Sequence, residues 1–176
     1  MKPGDVLLRR GTSLNSHAVL LADPETHYSH VGLVARQNGT LVVVNSVPAT
    51  GEDAGGVRAE PIASFLAPEK AVAWTALRLA DDPEGAAPRA AAAALALATD
   101  HVRFDDDFDL ADASAIYCTE LVWRTYRDAG LDLVDGRFDS IDFPLVPARQ
   151  VILPSRIEHS QYLKDLRTLN LPRTLP

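Results

Sequence analysis

The sequence predicts an α+β domain in which an antiparallel sheet packs against a helix that carries the only cysteine of the chain. Short β-rich runs occupy the first part of the chain, an alanine-rich helix follows, and an amphipathic helix begins near Cys118. Strands that precede the helices, rather than alternate with them, favour an antiparallel sheet over a parallel one.

A hairpin is the clearest predicted element. The β-rich runs at residues 30–35 and 40–45 are separated by a connection that contains Asn38-Gly39. Asn-Gly is the strongest short-range hairpin signal, because both positions of the turn need positive φ. Centring the turn on this pair puts Asn45 opposite Gly32 or Val31, beside His30.

The other elements follow from hydrophobic periodicity and from turn residues. Residues 6–8 and 71–79 are predicted strands, and residues 150–153 a last strand. Residues 16–22 fit a strand or a helix, and their length favours a short helix. The remaining predicted segments are a loop at 50–56, one helical turn at 61–66, a polar turn at 80–85 and a loose tail at 169–176.

Two helices are predicted in the second half. Residues 88–102 are rich in alanine, and Pro88 suits a first helical position. An acidic aromatic loop at 103–112 then leads into the cysteine helix. We expect Ser114 or Asp112 to cap this helix and Gly130 to end it in a left-handed conformation.

Composition restricts the class of protein. The chain has 176 residues and no internal repeat or linker, so we expect one domain over 1–176. A net charge of −7 argues against a nucleic-acid partner. One cysteine forms no internal disulfide. The N-terminal apolar run of three residues before two arginines is too short for a signal peptide or membrane span, so the expected location is cytoplasmic. Oligomeric state has no signal in the sequence.

Cys118 and His30 are the candidate reactive pair. A helix N-terminus favours the thiolate, so we expect the position of Cys118 to lower its pKa. His30, at the start of a strand, titrates near neutral pH and suits a general base. The structural alternatives are a buried small hydrophobic residue for Cys118 and a strand-end histidine bound to a backbone carbonyl for His30.

Asn45 is the best candidate for the third polar group that orients the imidazole. Its alternative role is a turn residue that ends a strand. The remaining histidines show no metal-ligand spacing, and we expect neither a metal nor a cofactor. The expected partner is a small-molecule or peptide substrate.

Four short sequence motifs resemble those of a known family. They are Gly4-Asp5-Val6-Leu7-Leu8-Arg9, Ser29-His30-Val31-Gly32-Leu33-Val34, Phe104-Asp105-Asp106-Asp107-Phe108-Asp109-Leu110 and Tyr117-Cys118-Thr119-Glu120-Leu121-Val122. The chain resembles, over roughly residues 3–153, the YiiX/YebB-like branch of the NlpC-type papain-like cysteine hydrolases. In that branch the histidine strand precedes the cysteine helix, which is a circular permutation.

The resemblance implies a permuted papain-like fold, with Cys118 as nucleophile, His30 as base and Asn45 in the third position. Relatives commonly carry an acidic residue or histidine there. It implies cleavage of an amide bond, in a peptide or a cell-wall-type peptide, through a thioester. The alternatives are an acyltransferase or thioesterase for lipid-like acyl groups, and a catalytically silent binding module.

Three further residues are candidates for the cleft. Tyr117 either donates a hydrogen bond near the oxyanion or packs on the sheet. Asp105 and Asp107 either bind an amine of the substrate or belong to a solvated loop. Glu120 is expected to be solvated or salt-bridged.

Overall fold

A computed structural model describes residues 1–82, 84–141 and 149–169. Its strands are β1 (Val6–Arg10), β2 (His30–Gln37), β3 (Thr40–Val47), β4 (Gly56–Pro61), β5 (Ala73–Leu79), β6 (Asp139–Ile141), β7 (Arg149–Val151) and β8 (Leu163–Asp165). Its helices are α1 (Leu14–Ala22), α2 (Ile62–Phe65), α3 (Ala86–Thr99), α4 (Cys118–Asp128), α5 (Pro154–Glu158) and α6 (Leu166–Leu169). The predicted α+β class is confirmed.

The main sheet is antiparallel and has the strand order β4-β3-β2-β1-β5-β8. The predicted hairpin is β2–β3, with Gln37 opposite Thr40 and Leu33 opposite Val44. Continuing that register by one residue places Asn45 opposite Gly32. Asn38 and Gly39 have the positive φ angles, 50° and 79°, that the turn requires.

Alternation along the strands gives the sheet two buried faces. One face packs against α3 and α4 and includes Val31, Leu33 and Val44 in its core. The other face is smaller and packs Val34 and Val43 around Phe65 of α2. The cysteine helix therefore packs on the sheet, as predicted.

The sequence motif that contains Gly4 and Asp5 has a structural role. A Cβ on Gly4 would lie 2.4 Å from the Ala87 Cβ, so the strand approaches α3 closely at this glycine. Asp5 is fully buried and accepts hydrogen bonds from the Arg78 guanidinium at 2.7 and 2.8 Å. Together these contacts fix β1 against β5 and α3.

The helix boundaries differ from the predicted ones because other residues cap them. α3 begins at Ala86, since the Asp82 carboxylate accepts from the N–H groups of Ala86 and Ala87. The predicted cap of α4 is wrong: the capping residue is Tyr117, while Asp112 accepts from the N–H of Ser114 inside the loop. The helix ends at Asp128 with Ala129 as its C-cap, and Gly130 follows with φ 93°, as predicted.

Three strands had no usable sequence signal. β4 is the first, and its end residues fall in the predicted loop and helical turn. It was not recognised as a strand, because its polar sequence does not show the alternation of apolar residues. β6 is the second, and it pairs with β7, which overlaps the predicted strand at 150–153, in a separate two-stranded sheet. β8 is the third and adds a short sixth strand to the main sheet. α1 is the predicted short helix, begins earlier at Leu14 after the Ser13 cap, and has no buried residue. Most of the predicted tail lies outside the described residues.

Candidate active site

Cys118 is the first residue of α4 and is only partly buried. Two contacts hold the preceding residues in place. The Ser46 hydroxyl of β3 donates to the Ile116 carbonyl at 2.6 Å, and the N–H of Ile116 donates to the Arg103 carbonyl at 2.9 Å. The start of the helix is therefore attached to the sheet on one side and to the acidic loop on the other.

The segment at Ile152 holds the other side of the helix start. The Thr119 hydroxyl donates to the Ile152 carbonyl at 2.6 Å, and the Ile152 N–H donates to the Tyr117 hydroxyl at 2.8 Å. The residues on both sides of Cys118 are thus fixed by buried hydrogen bonds, so the thiol has a defined position.

The environment of the thiol opposes ionisation. Burial raises the pKa of Cys118, and the backbone N–H groups of Val31, Thr119 and Cys118 itself lower it by less, as does the charge of Arg9. The N–H groups at the helix start thus lower this pKa, but the predicted net lowering is wrong, because desolvation outweighs these donors.

His30 begins β2 and is hydrogen-bonded to Asn45. The distance between its Nε2 and the Asn45 Oδ1 is 2.9 Å. The imidazole also lies beside the Phe65 ring, with the centroids 5.7 Å apart. Asn45 is fully buried in β3, so its side chain cannot exchange this partner for water. The predicted pairing of His30 with Asn45 is present.

A carboxylate one strand further out orients Asn45. The Asn45 Nδ2 donates to the Glu60 Oε1 at 3.1 Å, and the other oxygen of Glu60 accepts from Ser64 and Lys70, both at 3.0 Å. Burial raises the pKa of Glu60, but the hydrogen bonds from Lys70 and Ser64 outweigh it and hold this pKa below its ordinary value. Glu60 is therefore ionised and only accepts.

This network assigns the tautomer of His30. Because Glu60 accepts only, the amide nitrogen of Asn45 faces it and the amide oxygen faces His30. The Nε2 of His30 must then carry a proton, and its Nδ1 is the unprotonated nitrogen of the neutral ring. Within the described part of the chain, Nδ1 has no hydrogen-bond partner.

The neutral form of His30 is strongly favoured. Desolvation and then the nearby charge of Arg9 lower the pKa of His30 to about 4, although the hydrogen bond with Asn45 opposes this shift. The thiol and the imidazole are thus both neutral at rest.

Gly32 provides the space for this arrangement. A Cβ on Gly32 would lie 2.4 Å from the Val43 Cγ1 and 3.2 Å from the Asn45 Cβ. A larger residue would collide with Val43 and press against the Cβ of Asn45. The Ser-His-Val-Gly motif therefore contains both the candidate base, His30, and the glycine that leaves room for Asn45.

This order of a histidine strand before a cysteine helix agrees with the comparison with known families. The model of the permuted papain-like amidase enzymes, the YaeF/YiiX or C92 family, matches residues 1–137. The chain belongs to this family. The predicted family and the predicted permuted papain-like fold are confirmed, and the chain is a cysteine peptidase-like or amidase-like enzyme.

A solved structure shows the same fold in a distant protein. The metalloprotein yiiX from Escherichia coli O157:H7 superimposes with a TM-score of 0.75 over 94% of this chain and 96% of that chain, at 20% sequence identity. No curated protein matches the chain.

Across the residues that the structure describes, no group of three or more His, Cys, Asp or Glu side chains is arranged to hold a metal ion. None of the described helices is long and apolar enough to cross a membrane.

Tyr117 has the contacts of a packing residue in this C92 chain. Its side chain is 3% exposed, and its ring lies 5.1 Å from that of Phe108. Its hydroxyl already accepts from the Ile152 N–H. Burial raises the pKa of this phenol further above its ordinary value. A hydrogen bond from Tyr117 to an oxyanion stays a prediction.

Asp105 and Asp107 have different environments. Asp105 is buried, and its carboxylate accepts from the N–H groups of Asp107 at 2.9 Å and Asp109 at 2.6 Å. These bonds shape the acidic loop. The Asp107 side chain is 84% exposed, with its nearest carboxylate oxygen 3.8 Å from Arg149. Substrate binding by either residue stays a prediction, and Asp107 is the one that is accessible.

The role of Glu60 and the burial of Glu120 were not predicted from the sequence, because both depend on tertiary contacts. Glu60 requires β4 to be recognised as a strand next to β3. Glu120 is fully buried, where it accepts from Arg124 and, at 3.3 Å, from the N–H of Tyr117. Of the alternatives for Glu120, the salt-bridged one is present. Burial raises the pKa of Glu120 to about 7, against the opposing charge of Arg124.

Proposed function

We propose that this chain hydrolyses an amide bond of a peptide, or of a cell-wall-type peptide, through a thioester on Cys118 with His30 as base. Membership of the permuted papain-like amidases supports amide hydrolysis in general. The network from His30 through Asn45 to Glu60 supports the roles of the individual residues.

The proton path follows from the tautomer. The Nδ1 of His30 takes the proton of the Cys118 thiol as sulfur attacks the carbonyl carbon of the amide. The Nε2–H keeps its bond to Asn45 and prevents the ring from rotating. When the tetrahedral intermediate collapses, the C–N bond breaks and the imidazolium returns the proton to the leaving amine.

Water completes the cycle. The neutral imidazole takes a proton from water, and the resulting hydroxide attacks the thioester carbonyl. The C–S bond then breaks, the acid product leaves, and the imidazolium proton returns to the sulfur. No net proton is gained or lost by the enzyme.

The N-terminus of α4 supplies the stabilisation of the oxyanion. The backbone N–H of Cys118 belongs to the first helical turn, whose N–H groups have no partner within the helix. The negative charge on the carbonyl oxygen therefore develops at the positive end of the helix dipole.

The single observation that carries the proposal is the 2.9 Å contact between His30 and Asn45 on the strand that reaches the thiol. The backbone N–H of Val31, the residue after His30, is among the groups that stabilise the Cys118 thiolate. The first residues of β2 thus serve both the candidate base and the candidate nucleophile.

Acyl-enzyme trapping tests the proposal. The wild-type protein and Cys118→Ala are incubated with panels of amides, esters and thioesters, and intact mass spectrometry then measures any acyl group on the protein. We expect an acyl adduct from an amide on the wild type only, and release of the matching amine. Adducts from esters and thioesters alone would instead identify an acyltransferase or thioesterase.

A further inference from the structure

Arg9 is a cation next to the candidate base. Its Cα is the direct antiparallel partner of the His30 Cα across β1 and β2. Its Nη1 donates to the Phe65 carbonyl at 2.6 Å, and its guanidinium carbon lies 4.3 Å from the centre of the Phe65 ring. One end of the guanidinium is therefore held rigidly against α2.

The other donors of Arg9 lack partners. Its Nε is buried and has no hydrogen-bond acceptor. Over the described residues, Nη2 has no protein acceptor either, and it is not among the buried atoms. No described carboxylate lies within ion-pair distance of this guanidinium, whereas Arg78 and Arg124 each have one.

The carboxylate of Glu60 already has other hydrogen-bond donors. Glu60 interacts with Arg9 through its charge, but its oxygens accept from Asn45, Ser64 and Lys70. A partly buried guanidinium without an anion is unfavourable for stability. Such an arrangement is typical of a site whose anion arrives with a ligand.

We propose that Arg9 binds a carboxylate of the substrate, located on the leaving-amine side of the scissile amide. The side follows from the position of Arg9 beside His30, because the imidazole hands its proton to the leaving amine. The inference rests on the proposed hydrolysis and makes it more specific. The substrate class is then an amide whose leaving group is an amino acid with a free carboxylate.

A purely electrostatic role is the competing explanation for Arg9. Its positive charge lowers the pKa of Cys118 and of His30. By changing the fraction of thiolate, that role would alter the rates of neutral and anionic reagents by the same factor, whereas carboxylate binding favours the anionic reagent. The two explanations therefore predict different selectivity at the same thiol.

Two alkylating reagents of matched size distinguish carboxylate binding by Arg9 from its purely electrostatic role. Iodoacetate and iodoacetamide both transfer a CH2 group to sulfur and release iodide, and they differ in the carboxylate. Cys118 is the only cysteine, so mass spectrometry follows it without interference. The measured quantity is the iodoacetate-to-iodoacetamide ratio of rate constants, divided by the same ratio for N-acetylcysteine.

We expect this normalised ratio to exceed one by about tenfold or more in the wild type. Arg9→Gln should return it to about one. Arg10→Gln is the matched control, because Arg10 is the next residue, is exposed and faces Ala73 across the sheet. Arg58→Gln controls for local charge, since Arg58 is already paired with Asp53 at 2.6 Å. Both controls should keep the wild-type ratio.

A wild-type ratio near one would overturn the inference, whether or not Arg9→Gln folds. So would an unchanged ratio in Arg9→Gln, or in Arg9→Met if the glutamine variant unfolds, since methionine also lacks the positive charge. If the ratio is near one but an amide still acylates Cys118, only the Arg9 inference fails. If the ratio is high and no amide acylates Cys118, the hydrolase proposal fails and anion binding stands.

Discussion

The carboxylate of Glu60 accepts the side-chain N–H of Asn45 at 3.1 Å and thereby determines which end of that amide faces His30. An asparagine can orient an imidazole in two ways, because its two ends differ only in being donor and acceptor. The ionised Glu60 on β4 removes this ambiguity. In this chain a carboxylate thus lies behind Asn45, on the side of the amide that faces away from His30.

We expect Asn45→Ala to lower kcat/KM by about tenfold to a hundredfold, since the imidazole loses its orienting contact. Glu60→Ala should cost about tenfold, because Asn45 remains but its amide is free to flip. Glu60→Gln should recover most of that loss, since its amide oxygen also accepts. Glu69→Ala, which removes an exposed carboxylate, is the control. A Glu60→Ala enzyme with wild-type kcat/KM and an unchanged pH profile would contradict the role of Glu60.

Replacing the nucleophile or the base should abolish turnover without unfolding the protein. Cys118→Ser should lower kcat by orders of magnitude, because a hydroxyl has a far higher pKa than a thiol. His30→Ala should do the same by removing the acceptor of the thiol proton. Kinetics and circular dichroism on both variants check this. Residual turnover within tenfold of the wild type in either variant would remove that residue from the mechanism.

The pKa of His30, about 4, predicts the acid side of the pH profile. Since the imidazole must be unprotonated to accept the thiol proton, kcat/KM should stay high well below the ordinary histidine value of 6.5 and fall only near pH 4. Because the pKa is lowered on folding, the unfolded chain binds the proton first, so stability should also fall from pH 6.5 towards 4. An acid limb of kcat/KM near 6.5 would show that the ring is not desolvated.

Local signals were sufficient for the parts of the site that are close in sequence. The Asn38-Gly39 turn alone determines that Asn45 lies beside His30, because a hairpin register propagates from its turn. Helical spacing located α4 with Cys118 at its start. The same register places Gly32 opposite Asn45, which explains why a glycine is needed there.

Residues that act through strands or loops distant in sequence were not predictable in this way. β4 has the polar sequence Gly-Val-Arg-Ala-Glu-Pro, so its pairing with β3, and hence the role of Glu60, has no local pattern. The pKa of Cys118 depends on burial, which outweighs the helix terminus that the sequence reveals. Both are consequences of packing.

The buried pair of Glu120 and Arg124 predicts a pH-dependent loss of stability. Arg124 donates to Glu120 and to the carbonyls of Leu110 and Asp112, so it joins α4 to the acidic loop. Arg124→Met leaves the Glu120 carboxylate buried without a cation, which typically costs about 3–5 kcal/mol when the group is charged.

The pKa of Glu120 is already raised to about 7, above its ordinary 4.5, so its carboxyl is mostly protonated at pH 5 and mostly ionised at pH 8. A raised pKa of an acid means that the folded state holds the proton and loses stability as pH rises. Urea unfolding of Arg124→Met should therefore show a large loss at pH 8 and a small one at pH 5. Arg127→Met, at an exposed arginine on the same helix, should lose little at either pH. Equal losses at both pH values for Arg124→Met would mean that Arg124 acts through its loop carbonyls alone, because those bonds do not depend on the ionisation of Glu120.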